Sequence, residues 1–484
     1  MTNDKWYSIY PPGHALMLAP WAAAGIPWVL NPLLGALSAT LMYFYGKSYY
    51  GKNIGILSMI LAAFSPLIIF MSSEYMSHAT CMFYVLIFAI LFKKALSSGN
   101  TLMYAMSGFA LGFVILTRPY TGFALSIPFV ARLFFVTARR ELPQTAPPRS
   151  PLSGAAAFLA ALTAAGLILM AYNTATNGNP LKLGYTTAEW ATVSKLGFGE
   201  RITGVSYGNK FEFTPRDGLN HVLQFVGSFN RQLFGWPIPD LAFAALLFLL
   251  MFRRTAKEDF FQLGVFLSVL GAHVFYWYID DVFGPRLVYE TTPMLIVLTV
   301  RGLMETYAIL NGKWLLRFKK ATETVPQLER ARAQHDAPPQ ENNSFMENQG
   351  RGTASIAPFA MLAVLVLCFA VFSLTKTFPA LYDKYSHNYI GAKCGVCRVI
   401  RGKDIHNAVI LIRSNHVRFA SNMILFHDSP LLDNDVVFAR DQGDQNPLIM
   451  RQFRGRIFYL YEAYFTGSWE RSQMVFEKFT RLSS

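Results

Sequence analysis

Two ionisable side chains, Glu74 and His78, lie in a short polar stretch between two apolar runs, Ile54–Phe70 and Ala79–Phe92. Each run is about as long as a helix needs to cross a ~30 Å hydrocarbon layer, so the stretch is predicted to be a turn at a membrane surface. If His78 begins the returning helix, the spacing places both side chains on the same side of the turn. Such a carboxylate and imidazole could form a surface pair or line a binding site, and ionisable groups in other turns at this surface favour the site.

Further polar turns carry such groups. Arg118 lies between two apolar runs and could be a headgroup-level anchor or a phosphate ligand. Arg286 begins the run Leu287–Leu310, and Tyr289 and Glu290 follow one turn later. A carboxylate inside a span is costly and indicates a function.

Three other motifs allow more than one interpretation. The adjacent Asp280 and Asp281 could hold a divalent cation or form a solvated turn. The segment Tyr10–His14 contains two prolines that stiffen the chain, or that simply start a helix. Cys394 and Cys397 could form a redox pair, half a zinc site or a structural disulfide, and an oxidising compartment favours the disulfide.

The composition identifies the class of protein. The chain is 53% hydrophobic and 15% charged, with 41 phenylalanines, which is typical of a polytopic membrane protein. The net charge of +14 would suggest nucleic-acid binding in a soluble chain. Here the basic residues lie in short loops, so the charge indicates topology and no nucleic-acid partner is expected.

The predicted fold is an all-α polytopic membrane domain of about ten spans with a small C-terminal soluble α/β domain. The spans are expected near residues 31–45, 54–70, 79–92, 102–116, 122–136, 154–172, 238–252, 260–278, 287–310 and 356–378.

Basic side chains alternate between the two sides of this arrangement. The turns on one side carry most lysines and arginines, which predicts that side to be cytoplasmic. The short turns on the other side carry only Arg118 and Arg286, so Glu74 and His78 are expected outside. The basic loop positions are Lys47, Lys52, Lys93, Lys94, Arg139, Arg140, Arg149, Arg253, Arg254, Lys257 and the stretch 313–351.

Five regions follow from this pattern. Residues 1–30 are expected to form an outer-surface segment with an interfacial helix, and 31–310 a multi-span domain with an outer loop at 173–235. Residues 311–355 are polar and predict a flexible cytoplasmic linker. A last span at 356–378 precedes a periplasmic α/β domain at 379–484, with strands near 408–413, 436–439 and 456–461.

The order of several motifs resembles that of bacterial GT-C membrane glycosyltransferases, the group related to protein mannosyltransferases and aminoarabinose transferases. The motifs are Tyr-Pro-Pro-Gly from Tyr10, Asn-Pro-Leu-Leu-Gly from Asn31, Ser-x-x-Tyr-Met-Ser-His ending at His78, Leu-Thr-Arg-Pro around Arg118, Gly-Asn-Pro-Leu from Gly178, Leu-Phe-Gly-Trp-Pro ending at Pro237, and Gly-Pro-Arg-Leu-Val-Tyr-Glu ending at Glu290. The resemblance covers most of residues 6–380.

The resemblance implies transfer of a sugar from a polyprenyl-phosphate-linked donor to a glycan, lipid or protein acceptor at the outer face of the bacterial inner membrane. Arg118 and Arg286 would bind the lipid phosphate, and Tyr10, Glu74 and His78 would line the sugar or acceptor side, with Tyr289 and Glu290 in the same site. No cofactor is assigned, although a divalent cation could take part.

In this family the catalytic carboxylate lies on a first outer loop that precedes the Pro-Pro segment. The sequence begins almost at that segment. We therefore expect a further span and a loop with the base upstream of Met1, and no catalytic residue is assigned within the 484 residues.

Two other classes remain open on the residues alone. The intramembrane Glu290 and the proline-broken helices are compatible with a transporter or lipid flippase, although no inverted repeat is visible. A non-catalytic scaffold whose outer domain binds a partner is the other alternative.

Overall fold

The computed structural model describes residues 8, 10–139, 151–186, 196–203, 209–277, 284–310, 356–386, 395–415, 432–466 and 473–482. It divides into two compact units, Met1–Thr377 and Phe378–Ser484. The predicted linker at 311–355 lies outside the described residues.

Proline, glycine and short polar residues set the ends of the helices in the first unit. Gly99 ends one helix in the left-handed conformation at φ +64°, and the Asn100 side chain accepts a hydrogen bond from Leu102 N at 2.9 Å to begin the next. Ser65 accepts from Ile68 N at 3.3 Å, and Pro66 follows at the first helical position. The run 54–70, predicted as one span, is therefore two helices.

The helices of the first unit follow the predicted runs closely. They are α1 (Pro12–Ala23), α2 (Leu30–Tyr50), α3 (Lys52–Ala63), α4 (Pro66–Met71), α5 (His78–Ser98), α6 (Thr101–Thr117), α7 (Pro119–Arg139), α8 (Pro151–Asn177), α9 (Pro215–Gln232), α10 (Ala242–Leu249), α11 (Lys257–His273), α12 (Thr292–Leu310) and α13 (Ile356–Phe372). The span predicted at 238–252 is shorter than expected, since α10 has eight residues.

Five helical stretches in the described ranges are long and apolar enough to cross a membrane. They are His78–Ser98, Pro119–Ala138, Leu152–Asn177, Arg286–Ile309 and Val364–Tyr385, and α3 and α6 are shorter apolar helices. The protein is thus a helical membrane protein, and the number of about ten spans stays a prediction. Most of the stretch Arg286–Ile309 is buried, so it forms the centre of this unit.

The predicted outer loop at 173–235 contains more structure than the sequence suggested. The strands β1 (Gly199–Thr203) and β2 (Asn209–Phe213) pair in antiparallel register. Thr214 and Asp217 then form a capping box at the start of the amphipathic α9. Gly218 of α9 lies so close to α11 that an added Cβ would be 2.0 Å from the carbonyl oxygen of Val274.

The second unit is a small α/β domain, as predicted. Its four-stranded sheet has the order β4-β3-β5-β6, in which β3, β4 and β5 are parallel and β6 is antiparallel to β5. The elements are α14 (Phe378–Ser386), α15 (Gly395–Gly402), β3 (Ala408–Ser414), β4 (Val436–Arg440), α16 (Asn446–Gln452), β5 (Ile457–Thr466) and β6 (Gln473–Arg481). Cys397 is disulfide-bonded, whereas Cys394 lies outside the described residues.

Candidate functional site

The turn between α4 and α5 is held in place by two buried or half-buried polar side chains. The Asn31 amide, at the start of α2, donates to the carbonyl oxygens of Glu74 and Met76, the latter at 2.9 Å. His14 of α1 donates from Nε2 to the carbonyl oxygen of Tyr75 at 2.9 Å, and its Nδ1 lies 2.8 Å from the Thr80 hydroxyl. Two helices, α1 and α2, therefore fix the backbone that carries Glu74 and leads into α5.

Arg118 lies at the break between α6 and α7 because a proline follows it. The residue before a proline is excluded from the helical conformation, and Arg118 has φ −142° and ψ +82°. The Arg118 side chain therefore does not follow the surface of either helix, and its guanidinium contacts His78 and Glu290.

The segment that brings Arg286 and Glu290 into the same place depends on a glycine. Gly284 has φ +65°, and an added Cβ would be 2.2 Å from the Gln232 side chain, so only glycine fits. A 3₁₀ turn, Arg286–Thr291, then leads into α12. This tight turn places Glu290 at the N-terminal end of the central helical stretch.

His78, Arg118 and Glu290 form a closed set of contacts, which we call the ring. Arg118 Nη1 lies 3.1 Å from His78 Nε2, His78 Nδ1 lies 3.2 Å from Glu290 Oε1, and Arg118 Nε lies 3.1 Å from the same oxygen. Since a guanidinium can only donate, His78 Nε2 must accept, and the imidazole proton must be on Nδ1. The ring therefore contains a neutral histidine that donates to Glu290.

The ring has a buried side and an accessible side. Glu290 and Tyr289 are fully buried, His78 is nearly so, and 18% of the Arg118 side chain is exposed. The Tyr289 ring meets the His78 ring edge to face, at 6.2 Å between centroids and 89° between planes. Arg118 is thus the member of the ring that a ligand can reach, while Glu290 and Tyr289 support it from behind.

Glu74 lies beside the second arginine of this end. Burial raises the pKa of the Glu74 carboxyl to about 7, although the charge of Arg286 acts in the opposite direction. Arg286 Nη1 also lies 2.9 Å from the Met76 sulfur. A half-buried carboxylate with a pKa near neutrality can take up a proton under ordinary conditions.

Other predicted site residues are placed differently. The Tyr10 side chain is 64% exposed, and its carbonyl oxygen lies 3.4 Å from the Tyr172 hydroxyl, so its contact with a substrate stays a prediction. Asp280 and Asp281 lie outside the described residues. In the described ranges no group of three or more His, Cys, Asp or Glu side chains could hold a metal ion.

The sequence did not identify the roles of His14 and Asn31. Both belong to motifs that the sequence singled out, Tyr-Pro-Pro-Gly-His and Asn-Pro-Leu-Leu-Gly. The available signal was a polar side chain within two residues of a proline at the start of an apolar run. Its partner in the turn before α5 is a tertiary contact that the sequence does not show.

A second set of ion pairs lies at the other end of the same helices, and we call it the paired cluster. Glu258 accepts from Lys93 at 2.6 Å and from both terminal nitrogens of Arg132 at 2.6 and 2.7 Å. Lys93 is fifteen residues after His78 in α5, or about 22 Å along the helix. The remaining members are Arg254, Asp259, Arg301 and Glu305, joined by contacts of 2.9–3.3 Å.

Comparison with known proteins identifies the fold. The chain is similar to ArnT from Cupriavidus metallidurans bound to undecaprenyl phosphate, with TM-score 0.51 and 12% identity over 96% of this chain and 87% of that chain. The apo state of the same protein gives TM-score 0.51 and 12% identity over 97% and 88%. AglB, an oligosaccharyltransferase from Archaeoglobus fulgidus in complex with an inhibitory peptide and a dolichol-phosphate, gives TM-score 0.45 and 9% identity over 99% and 68%.

No family model and no curated protein sequence matches the chain. The likeness to ArnT, an aminoarabinose transferase, shows that the chain has the GT-C fold, as the motif order predicted.

Proposed function

We propose that the protein is a membrane glycosyltransferase that moves a sugar from a polyprenyl-phosphate-linked donor to a glycan, lipid or protein acceptor. The observation that supports this most is the ring, which holds one reachable arginine at a helix break, with Arg286 and Glu74 nearby, on a GT-C fold. We place the reaction at the outer face of the bacterial inner membrane, with residues 379–484 in the periplasm, because basic loops favour the cytoplasm.

Arg118 and Arg286 would bind the phosphate of the donor. Guanidinium groups match phosphate geometry and keep their charge in a membrane-surface site. When the sugar leaves, the phosphate gains negative charge, and two fixed cations stabilise that change. This assignment gives both arginines a role in the transition state as well as in binding.

Among the carboxylates that the structure describes at this end, Glu74 fits the role of general base, and we propose it in place of the upstream carboxylate expected from the sequence. An acceptor hydroxyl oxygen would attack the anomeric carbon, and its proton would pass to the Glu74 carboxylate. The bond between that carbon and the phosphate oxygen would break, with its electron pair leaving on the phosphate. Direct displacement of this kind inverts the anomeric configuration.

Glu290, His78 and Tyr289 would act as positioning residues. They are buried behind Arg118. The neutral His78 is oriented by its hydrogen bond to Glu290, and it in turn accepts a hydrogen bond that orients the Arg118 guanidinium. Preorganised charge of this type costs no reorganisation when the reaction occurs.

The test is a transfer assay on the purified full chain in vesicles that contain a polyprenyl-phosphate-linked radiolabelled sugar. We expect labelled sugar on an envelope acceptor and release of polyprenyl phosphate, both lost in Arg118→Ala. Movement of intact donor across the bilayer without cleavage would contradict the proposal and favour a lipid flippase. Mass spectrometry of envelope glycans from cells with and without the protein identifies the sugar.

A further inference from the structure

A groove opens between α7 and α11 near the paired cluster, away from the ring. Its cavity volume is about 370 Å³, and its lining is almost entirely apolar, with Ala131, Phe135, Phe260, Phe261 and Gly264 among the contributing residues. An added Cβ at Gly264 would meet no atom within 4 Å, so the groove is open at this position because glycine has no side chain. Pro128, inside α7, lines the other wall and removes one backbone N–H donor from that helix.

The apolar lining of the groove contains one cationic side chain, that of Arg132. Arg132 borders the groove, and its guanidinium lies 4.7 Å from the centre of the Phe261 ring. Glu258 takes one contact from each terminal nitrogen of Arg132 and one from Lys93, so two cations share a single carboxylate. The remaining N–H donors of both cations can still bind an acceptor. The three groups together carry one excess positive charge.

We propose that this groove binds an anionic phospholipid of the surrounding leaflet, with one acyl chain in the groove and the phosphate against Arg132 and Lys93. The groove faces outward, since Phe135 is 58% and Phe260 43% exposed. Apolar lining along a membrane helix suits an acyl chain, and an excess of basic charge at its polar end suits an anionic headgroup. A zwitterionic phospholipid fills the groove equally well but adds no net charge.

This site is separate from the proposed donor site. Arg118 immediately precedes α7, and Arg132 lies fourteen residues further along the chain, or about 21 Å along the helix axis. One phosphate cannot contact both arginines. Binding at the groove is therefore expected to be independent of variants in the ring.

The test is native mass spectrometry of the purified full chain with phosphatidylglycerol and phosphatidylcholine of the same acyl chains. We expect phosphatidylglycerol to bind about tenfold more tightly, since one charge-assisted contact is worth about that factor. Gly264→Leu should abolish the preference by filling the groove. Gly271→Leu is the matched control, because a Cβ there also meets nothing within 4 Å and the residue does not line the groove.

Glu258→Gln separates lipid binding from general damage to the fold. Removing the shared carboxylate leaves more positive charge, so phosphatidylglycerol should bind more tightly than to wild type. Equal binding of both phospholipids by wild type, or unchanged binding by Gly264→Leu, would overturn the proposal. Displacement of phosphatidylglycerol from the groove by equimolar polyprenyl phosphate would also overturn it, because the occupant would then be the isoprenoid lipid.

Discussion

The two ends of the first unit use charge in different ways. In the paired cluster both oxygens of each carboxylate accept from basic side chains, as those of Glu258 do from Lys93 and Arg132. In the ring a single oxygen of Glu290 takes both contacts, and the other oxygen receives no hydrogen bond of normal geometry from the described part of the chain.

This difference distinguishes ion pairs that stabilise helix packing from charged groups that are placed to bind a ligand. Ion pairs between helices hold those helices together, and their loss lowers mainly the stability, even where spare N–H donors remain for a lipid headgroup. Charges held in place by buried neighbours but left partly accessible are typical of groups that meet a ligand. His78 begins α5, and Arg118 and Glu290 lie just before α7 and α12. The proposed chemistry is therefore at one end of these three helices, and the ion pairs that hold them together, with the proposed lipid contact, are at the other.

The largest expected effect is on turnover and compares one carboxylate from each end. Glu74→Gln should lower kcat by about 10²–10⁴, the range of general base catalysis, because the amide cannot accept the acceptor's proton. Glu258→Gln, the matched variant at the paired cluster, should leave kcat within about twofold. If Glu74→Gln keeps wild-type kcat, the base is a carboxylate outside the described residues.

The pH dependence of turnover sharpens this comparison. A base must be deprotonated, and a pKa near 7 keeps Glu74 protonated over the range in which an ordinary carboxyl is already charged. Turnover of wild type should therefore rise with pH through about 7 and then level off. A profile that is already flat from pH 5 upward would exclude Glu74 as the titrating group.

The ring predicts a graded effect at His78. Glutamine can place an acceptor near the Nε2 position that faces Arg118, whereas asparagine can only replace the Nδ1 donor that faces Glu290. His78→Asn should weaken donor binding about tenfold, the value of one charge-assisted hydrogen bond, and His78→Gln should weaken it less. Equal losses in both variants, measured by isothermal titration, would show that Arg118 does not depend on Nε2.

The smallest effect on activity is expected at the paired cluster. Asp259 is fully buried and accepts from Arg301 and from the Ala256 backbone, so Asp259→Ala removes one of the two carboxylates that pair with Arg301 and leaves the Ala256 N–H without its acceptor. We expect a loss of about 3 kcal/mol in stability and a lower Tm, with donor affinity unchanged. Weaker donor binding at an unchanged Tm would remove the distinction between the two ends.

Charge alternation in the sequence predicted which turns lie together. Arg118, Arg286 and Glu290 were placed at the same surface as Glu74 and His78, and the structure brings these turns together. The order of motifs also predicted the GT-C fold. These features are local, because they depend on the lengths of apolar runs and on the signs of the charges between them.

Specific partners could not be predicted because they depend on tertiary packing. The spacing of Glu74 and His78 suggested a local pair, but His78 contacts Glu290, 212 residues away in sequence. The helix α9 was missed although Thr214, Pro215 and Asp217 form a recognisable start signal. Its segment is polar overall, and a search for apolar runs does not detect an amphipathic helix that buries only one face.

The most direct test of this account is the dissociation constant of polyprenyl phosphate for wild type, Arg118→Ala and Arg301→Ala, with the Tm of each. We predict that Arg118→Ala weakens binding about ten- to a hundredfold at a similar Tm, because one charge-assisted phosphate contact is lost. Arg301→Ala should lower the Tm and leave the dissociation constant unchanged. Wild-type affinity in Arg118→Ala, or an equal loss in both variants, would contradict the assignment of the ring as the phosphate site.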